Sequence, residues 1–250
     1  MTYDLHVLVP SRGRPGNIER LWRAIIATRA AHPARITLRV RLDDDDPAVN
    51  AYPETHGDAL IYTYGPRIRL AASWNEQARE AIRAGATHLA LWGDDVVPET
   101  QGWDEKLIGM LDRYGPGFAY GRDGIWDHTY DQQVTGHLVL PTACIMSAEL
   151  AHALGWVSPP GLVHLCVDLA WRDLGFATGS LFYDPGVLIR HVHRLTGAPD
   201  DQTYRDANDN GDQVRTDNLA FRAWREGKGF RADMETVTRV REAWRAGQSA

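Results

Sequence analysis

Two adjacent carboxylates, Asp94 and Asp95, directly follow the apolar run 88–92 (HLALW) and are the first candidates for chemistry. Mg²⁺ and Mn²⁺ prefer carboxylate oxygens, and such ions are often held by one or two carboxylates together with substrate phosphates. An isolated Asp-Asp pair is otherwise typical of a solvated acidic turn. Because this pair ends the most apolar strand of the chain, its position favours a metal and diphosphate site.

Two further polar loops follow predicted strands. In RLDDDDP (41–47), four consecutive carboxylates repel one another and are expected to be exposed, with Asp43 best placed to accept hydrogen bonds from a base or a ribose. In SRGRPGN (11–17), Arg12 and Arg14 flank Gly13 just before a helix N-terminus, a combination suited to phosphate binding. This loop is neither a Walker A sequence nor GxGxxG.

A third group of candidates lies in the second half of the chain. Asp168 stands in the apolar frame CVDLAWRDLG, where a buried carboxylate with a raised pKa can act as a base. The alternative is an exposed helix carboxylate paired with Arg172. His191 and His193 share one face of a strand, so one of them could ligate a metal, or both could be structural or exposed.

The elements that must position these residues alternate between strand and helix. The patterns predict strands at 5–10, 36–42, 59–64 and 87–92, and helices at 15–31 and 70–85. Such βαβ order implies an α/β fold with a mostly parallel central sheet flanked by helices, and ligands at the carboxyl ends of the strands. The loops SRGRP, DDDDP and GDDVVP are therefore expected at one edge of the sheet.

The second half is less regular. We predict helices at 103–114, 147–156 and 161–175, strands near 117–121 and within 136–147, a late strand at 186–195, and a polar loop at 196–213. Amphipathic spacing predicts C-terminal helices at 214–227 and 233–247. The economical interpretation is one domain over 1–250, with a nucleotide-binding half (1–100), an acceptor half (101–213) and C-terminal helices (214–250).

Composition bounds the class of protein. The 250 residues are 44% hydrophobic and 24% charged, as in soluble globular proteins, and the formal charge of −6 argues against a surface that grips nucleic acid throughout. No apolar run is long enough to span a membrane and the N-terminus is unlike a signal peptide, so we expect a cytoplasmic protein without a membrane partner. The two cysteines, Cys144 and Cys166, are expected to be buried thiols and not a zinc site.

Together these motifs resemble GT-A-fold glycosyltransferases, most closely the family-2-like enzymes. The resemblance extends from residue 5 to about 204 and is carried by VLVPSRGRP, RLDDDDP, WNEQAREAIRAG with THLALWGDDVVP, VDLAWRDLG, and RHVHR. The phrases PSRGRP, GDDVVP, HVHR and DDQTYRDA also resemble glycosyltransferases carried by bacteriophages. The resemblance implies a GT-A (Rossmann-like) sheet with a Mn²⁺ or Mg²⁺ cofactor.

Matched position by position, the resemblance implies a role for each candidate. Asp95 falls on the principal metal ligand, and Gly93 stands where the family often has the first aspartate of its DxD-type motif. His193, or failing it His191, matches the late histidine that completes the metal site. Asp168 matches the carboxylate that deprotonates the acceptor in inverting members. The implied nucleotide contacts are Pro10, Arg12, Arg14, Asp43, Asn75 and Asp94.

The implied reaction is the transfer of a sugar from a nucleoside-diphosphate sugar to an acceptor hydroxyl, with the metal neutralising the departing diphosphate. A hydroxylated base in phage DNA is one candidate acceptor, and the host cytoplasm would then be the location. Two alternatives stay open. One is a nucleotidyltransferase, although the loop GxGxRxxPLT usual in those enzymes is absent, and the other is a non-catalytic relative that binds nucleotide sugars.

Overall fold

The computed structural model describes residues 2–30, 35–57, 59–125, 140–193, 197, 201–202, 205–206 and 210–248. Within these ranges, strands and α-helices lie in the following order: β1 (Asp4–Ser11), α1 (Pro15–Thr28), β2 (Arg35–Asp43), β3 (Leu60–Gly65), α2 (Arg69–Arg83), β4 (His88–Leu91), β5 (Val96–Pro98), α3 (Trp103–Tyr114), β6 (Phe118–Arg122), β7 (Cys144–Ser147), α4 (Ala148–Leu154), α5 (Val167–Thr178), β8 (Leu181–His191), α6 (Gly211–Glu226) and α7 (Lys228–Gln248).

Local sequence explains the elements of the first half. Helix α1 has Pro15 at its first turn, where the missing N–H costs nothing, and it buries Ile18, Leu21 and Ile25 at helical spacing. The strands β1, β2 and β4 are almost entirely buried, as strands covered on both faces must be. The four strands and two helices predicted before residue 93 are therefore confirmed, with ends that differ by a few residues.

The eight strands form one sheet in the order β3-β2-β1-β4-β7-β6-β8-β5. Strands β1 to β4 pair in parallel, but β7 lies antiparallel between β4 and β6, and β5 lies antiparallel to β8. The sheet is mixed, so the prediction of a mostly parallel sheet was wrong. Helix crossovers force parallel pairing in the first half, whereas antiparallel neighbours need no such crossover.

Strand β8 lies between β6 and the edge strand β5 and pairs with both. Its residues 181–184 pair in parallel with β6, and after an irregularity in register its end pairs antiparallel with β5. In that second pairing His191 lies opposite Val96, the residue that follows Asp95. The fold thus brings a residue of the last strand to the acidic end of β4.

Several predicted elements have different boundaries. The helix predicted at 161–175 begins only at Val167, because the N–H groups of residues 163–165 bond to the Asp217 carboxylate and not within a helix. The C-terminal helices begin earlier than predicted, at Gly211 and Lys228. Residues 136–139 of one predicted strand, and half of the polar stretch 196–213, lie outside the described residues. No helix in the described ranges is long and apolar enough to cross a membrane.

Candidate functional site

The carboxyl ends of β1, β2 and β4 surround a cavity of about 330 Å³. This is the sheet edge at which ligands bind in open α/β folds. All of the site residues predicted from the sequence line it except Asn75: Pro10, Arg12, Arg14, Asp43, Asp94, Asp95, Asp168, His191 and His193. The structure therefore brings together candidates that are dispersed over the chain.

Asp94 is buried at the junction of two strand ends. It accepts hydrogen bonds from Ser11 Oγ at 2.6 Å and from Arg14 Nη1 at 3.0 Å. Burial raises the pKa of Asp94, assisted by the charge of Asp95 and opposed by Arg14 and Ser11. Arg14 also donates two hydrogen bonds to Asp201, at 2.6 and 2.7 Å, so one guanidinium bridges two carboxylates. The first loop is thereby fixed to the acidic end of β4.

Asp95 faces the end of β8. Its carboxylate lies 3.4 Å from His191 Nε2, and its backbone carbonyl accepts a hydrogen bond from Val192 N at 2.7 Å. Burial by itself would raise the pKa of Asp95, but the contact with His191 lowers it below the ordinary value. Burial disfavours the protonated form of His191, but the neighbouring Asp95 carboxylate favours it, and the pKa of this histidine is raised above its ordinary value. Each group thus stabilises the charged form of the other.

Gly93 makes room for this arrangement. A Cβ built at position 93 would lie 2.6 Å from Asp95 Oδ1, closer than any real contact of such a carbon. An aspartate at this position, as the family resemblance led us to expect, is therefore incompatible with the present orientation of Asp95. The glycine is part of the geometry that lets Asp95 reach His191.

Asp95 and His191 place a carboxylate oxygen and an imidazole nitrogen 3.4 Å apart, and both are atom types that would hold a divalent cation such as Mn²⁺. The ring of His193 lies 5.1 Å from that of His191, centroid to centroid. Among the described residues, no three His, Cys, Asp or Glu side chains converge tightly enough to hold a metal by themselves. A cation held by Asp95 and His191 would therefore need further ligands from outside these side chains.

Asp43 lies at the opposite side of the cavity in a group of arginines. Its carboxylate is 3.2 Å from Arg12, 3.4 Å from Arg41 and 3.7 Å from Arg67. The expectation that the four aspartates are exposed holds for Asp44 and Asp45 only, because Asp43 is buried as well. Asp46 is buried, where it accepts hydrogen bonds from Gly13 N at 2.8 Å and from Tyr52 OH at 3.0 Å. It stabilises the loop instead of binding solvent.

Asp168 lies in the first turn of α5 and is half-buried against the cavity. Its Oδ1 accepts a hydrogen bond from Leu169 N at 2.8 Å. Burial raises the pKa of Asp168, although nearby Arg172 and His191 oppose this effect. The guanidinium of Arg172 bonds Asp173 at 2.8 Å, so the alternative of an exposed Asp168–Arg172 pair does not describe this site.

Asn75 does not belong to this group. Its Oδ1 accepts hydrogen bonds from Val157 N at 2.8 Å and from Ser158 N at 3.0 Å, and its Nδ2 donates to Ser158 O at 2.9 Å. Both ends of the amide are thus used to hold the segment that follows α4. Asn75 is engaged away from the cavity it was expected to line.

Sequence reasoning missed several residues that line the cavity: Arg41, Arg67, Arg69, Trp74, His164 and Trp171. Burial lowers the pKa of His164 to about 4, so its imidazole is neutral at physiological pH. Arg69 and Cys166 are the only non-glycine residues in the described part of the chain with positive φ, at 68° and 66°. Both line the cavity, and backbone strain of this kind clusters at functional sites. No sequence pattern marks these conformations.

The two cysteines differ in environment. Cys144 is fully buried, as expected, but Cys166 is half-buried and lines the cavity. Burial, together with the charges of Asp168 and Asp217, raises the pKa of the Cys166 thiol to about 11. It is therefore protonated at neutral pH.

Comparison with solved structures identifies the fold. A mannosyltransferase from Pyrobaculum calidifontis, solved with GDP-Man and Mn²⁺, matches with a TM-score of 0.66 and 14% identity over 96% of this chain and 70% of its own. Glucosyl-3-phosphoglycerate synthase from Mycobacterium tuberculosis, solved with Mn²⁺, UDP and phosphoglyceric acid, matches with a TM-score of 0.56 and 12% identity over 89% of this chain and 78% of its own.

Residues 1–349 of S. aureus TarS, solved with UDP, match with a TM-score of 0.52 and 13% identity over 98% of this chain and 92% of that one. No family model and no curated protein matches the sequence. At these identities the likeness concerns the fold alone. The chain has the mixed α/β fold of GT-A-type glycosyltransferases.

Proposed function

We propose that this protein is a metal-dependent glycosyltransferase that moves a sugar from a nucleoside-diphosphate sugar to an acceptor hydroxyl. One observation carries the proposal. A single cavity at the carboxyl edge of the sheet is lined by five arginines, the Asp95–His191 pair and a carboxylate of raised pKa, Asp168. The fold is shared with glycosyltransferases solved with Mn²⁺ and either GDP-Man or UDP, which supports the same reaction class.

The arginines supply the positive potential that a diphosphate requires. Arg12 and Arg14 follow β1, and Arg41 lies in β2. Arg67 lies in the loop before α2, and Arg69 is the first residue of that helix. Guanidinium groups bind phosphate oxygens with two hydrogen bonds at a time. Within the protein their charge is balanced by Asp43, Asp94, Asp201 and Asp206.

Asp95 and His191 would hold a Mn²⁺ or Mg²⁺ ion against the diphosphate, with His193 close enough to assist. When bound, the ion neutralises charge on the departing diphosphate. Asp95 presents a carboxylate of lowered pKa, so it is ionised and ready to ligate. His191 must release its proton to ligate, as any histidine does. Asp94, fixed by Ser11 and Arg14, holds the loop that carries Asp95.

Asp168 would act as the base. The acceptor oxygen forms a bond to the anomeric carbon, the bond from that carbon to the diphosphate oxygen breaks, and the electron pair leaves with the diphosphate. The acceptor proton passes to Asp168, whose raised pKa brings it nearer to that task than an ordinary carboxylate. This displacement inverts the anomeric centre. A hydroxylated DNA base remains one candidate acceptor, proposed from the sequence resemblance alone.

The test begins with binding. A thermal-shift and calorimetric screen of UDP, GDP, ADP, CDP and dTDP, each with and without Mn²⁺, is expected to give a metal-dependent shift with one base. Sugar nucleotides of that base then serve as donors in a hydrolysis and transfer assay. Asp95→Asn should lose the metal-dependent shift, whereas Glu149→Gln, an exposed carboxylate on α4, should retain it. Absence of any nucleotide shift in the wild-type protein would refute the proposal.

A further inference from the structure

A buried carboxylate on a C-terminal helix holds one wall of the cavity from behind. Asp217, on α6, is fully buried. It accepts hydrogen bonds from three consecutive backbone N–H groups: Val163 at 2.6 Å, His164 at 3.1 Å and Leu165 at 2.8 Å. Gln213 Nε2 donates a fourth at 3.0 Å. Successive N–H groups that converge on one anion form a nest, and hydrogen bonds to a charged acceptor are the stronger kind.

The segment that Asp217 holds is the one that faces the cavity. Residues 164–168 line it without interruption, from His164 to Asp168. On its other side the segment is tied to α2, because Val163 O accepts a hydrogen bond from Ala71 N at 3.1 Å. The wall formed by residues 163–168 is therefore fixed between an N-terminal helix and a C-terminal one.

This conformation is not the one that the local sequence favours. The pattern of residues 161–175 predicts one continuous helix, yet α5 begins at Val167 after Cys166 has adopted a left-handed φ of 66°. Such a conformation is unfavourable for a side chain with a Cβ and persists only when its surroundings enforce it. In a helix that began at Gly161, the N–H groups of His164 and Leu165 would bond to the carbonyls of residues 160 and 161. Asp217 accepts both of these N–H groups instead, together with that of Val163. The carboxylate thus decides where α5 starts, and with it the place of Asp168.

We propose that Asp217 is a positioning residue for this reaction: it fixes the wall 163–168, and through it His164 and Asp168, while contacting neither donor nor metal. The catalytic consequence rests on the proposed glycosyltransferase function. The effect of Asp217 on the conformation of the wall is independent of that function. The two can therefore be tested separately, with Cys166 as a built-in probe.

The first measurement is the rate at which iodoacetamide alkylates Cys166, quantified by peptide mass spectrometry, since Cys144 is fully buried. Asp217→Asn should accelerate alkylation by about tenfold when rates are compared at equal thiolate fraction, obtained from the pH dependence of the rate, because it releases the wall that half-buries this thiol. The matched control is Asp233→Asn. Asp233, on α7, accepts hydrogen bonds from Trp224 Nε1 at 2.8 Å and Trp156 Nε1 at 3.4 Å and does not line the cavity.

Each variant is alkylated at the same interval below its own Tm, so that a general loss of stability affects both equally. Asp233→Asn should then remain within about twofold of wild type. If Asp217→Asn does not fold, Gln213→Ala removes one donor to the same carboxylate and should raise the rate by about two- to threefold. An unchanged rate in Asp217→Asn, or in Gln213→Ala where it is needed, overturns the inference whatever the activity.

The second measurement separates positioning from binding. Asp217→Asn should keep the affinity for a nucleoside diphosphate with Mn²⁺ within about twofold and lose about a hundredfold in kcat, the usual effect of displacing a reacting group by about 1 Å. A faster Cys166 reaction with unchanged kcat would overturn the positioning role. If the wild-type protein binds no nucleotide, the proposed function fails, and the alkylation rates still decide whether Asp217 fixes the wall.

Discussion

Replacement of Gly93 is expected to impair metal binding without unfolding the protein. The Cβ of an alanine at this position would lie 2.6 Å from Asp95 Oδ1, about 0.8 Å short of an ordinary van der Waals contact at 3.4 Å. The obstructing atom is the end of a short side chain and not backbone. The fold can therefore accept the methyl group, but the carboxylate of Asp95 must turn away.

The size of the effect follows from what Asp95 touches. The Asp95 carboxylate lies 3.4 Å from His191 Nε2 in the present orientation. A shift of about 0.8 Å away from position 93 would therefore separate the two side chains that we assign to the metal. Loss of one charge-assisted contact is worth about 1.5–3 kcal/mol, and disturbed orientation of a ligand typically costs about 10–100-fold in metal affinity. We expect Gly93→Ala to weaken Mn²⁺ binding by that factor, and Gly93→Asp to weaken it at least as much.

The assay is a Mn²⁺ titration in the presence of saturating nucleoside diphosphate, with free Mn²⁺ measured by electron paramagnetic resonance and folding checked by Tm. Gly109→Ala on α3 is the control, because nothing lies within 4 Å of a Cβ built there. That variant should bind Mn²⁺ like wild type. Wild-type affinity in Gly93→Ala, or tighter binding in Gly93→Asp, would refute the view that Gly93 accommodates the metal-binding orientation of Asp95.

Four other predictions test the rest of the site. Arg14→Met removes the guanidinium that bridges Asp94 and Asp201, and should weaken nucleoside-diphosphate binding by about tenfold or more in calorimetry; equal affinity would exclude this arginine from the phosphate site. Transfer should decline as the pH falls through the raised pKa of Asp168, since only the ionised carboxylate accepts a proton, so the midpoint of the pH–rate profile lies above an ordinary carboxyl near 3.9. Asp168→Asn should bind nucleotide but not transfer, and an active Asn variant would remove Asp168 from the mechanism. Asn75→Ala should lose about 1–3 kcal/mol of stability in denaturant unfolding and keep its nucleotide affinity, whereas a selective loss of affinity would return Asn75 to the nucleotide site.

Much of the first half of the fold could be predicted because its determinants are local. The apolar runs of β1, β2 and β4 and the spacing of α1 and α2 are visible in short windows of sequence. Parallel pairing then follows from the helix crossovers, and the meeting of the three loops follows from parallel pairing. That is why Arg12, Asp43 and Asp95 could be assigned to one edge from the sequence alone.

The second half could not be predicted in the same way because its determinants are distant in sequence. The antiparallel position of β7 between β4 and β6, and the division of β8 between two partners, have no local signature. The helix predicted at 161–175 illustrates the cause. Its periodicity is real, but Asp217, 53 residues beyond His164, offers the backbone N–H groups a charged acceptor that outweighs helical bonding.

The same separation explains how the candidate site is assembled. The nucleotide side rests on strand ends that the first half builds by itself. The groups assigned to chemistry depend on elements from the second half: His191 reaches Asp95 through the pairing of β8 with β5, and Asp168 is placed by a wall that α6 holds through Asp217. Since neither contact is encoded near the acidic pair, Asp94 and Asp95 alone could not distinguish a metal site from a turn. Our proposal of a metal site rests on β8, which places an imidazole 3.4 Å from one of the two carboxylates.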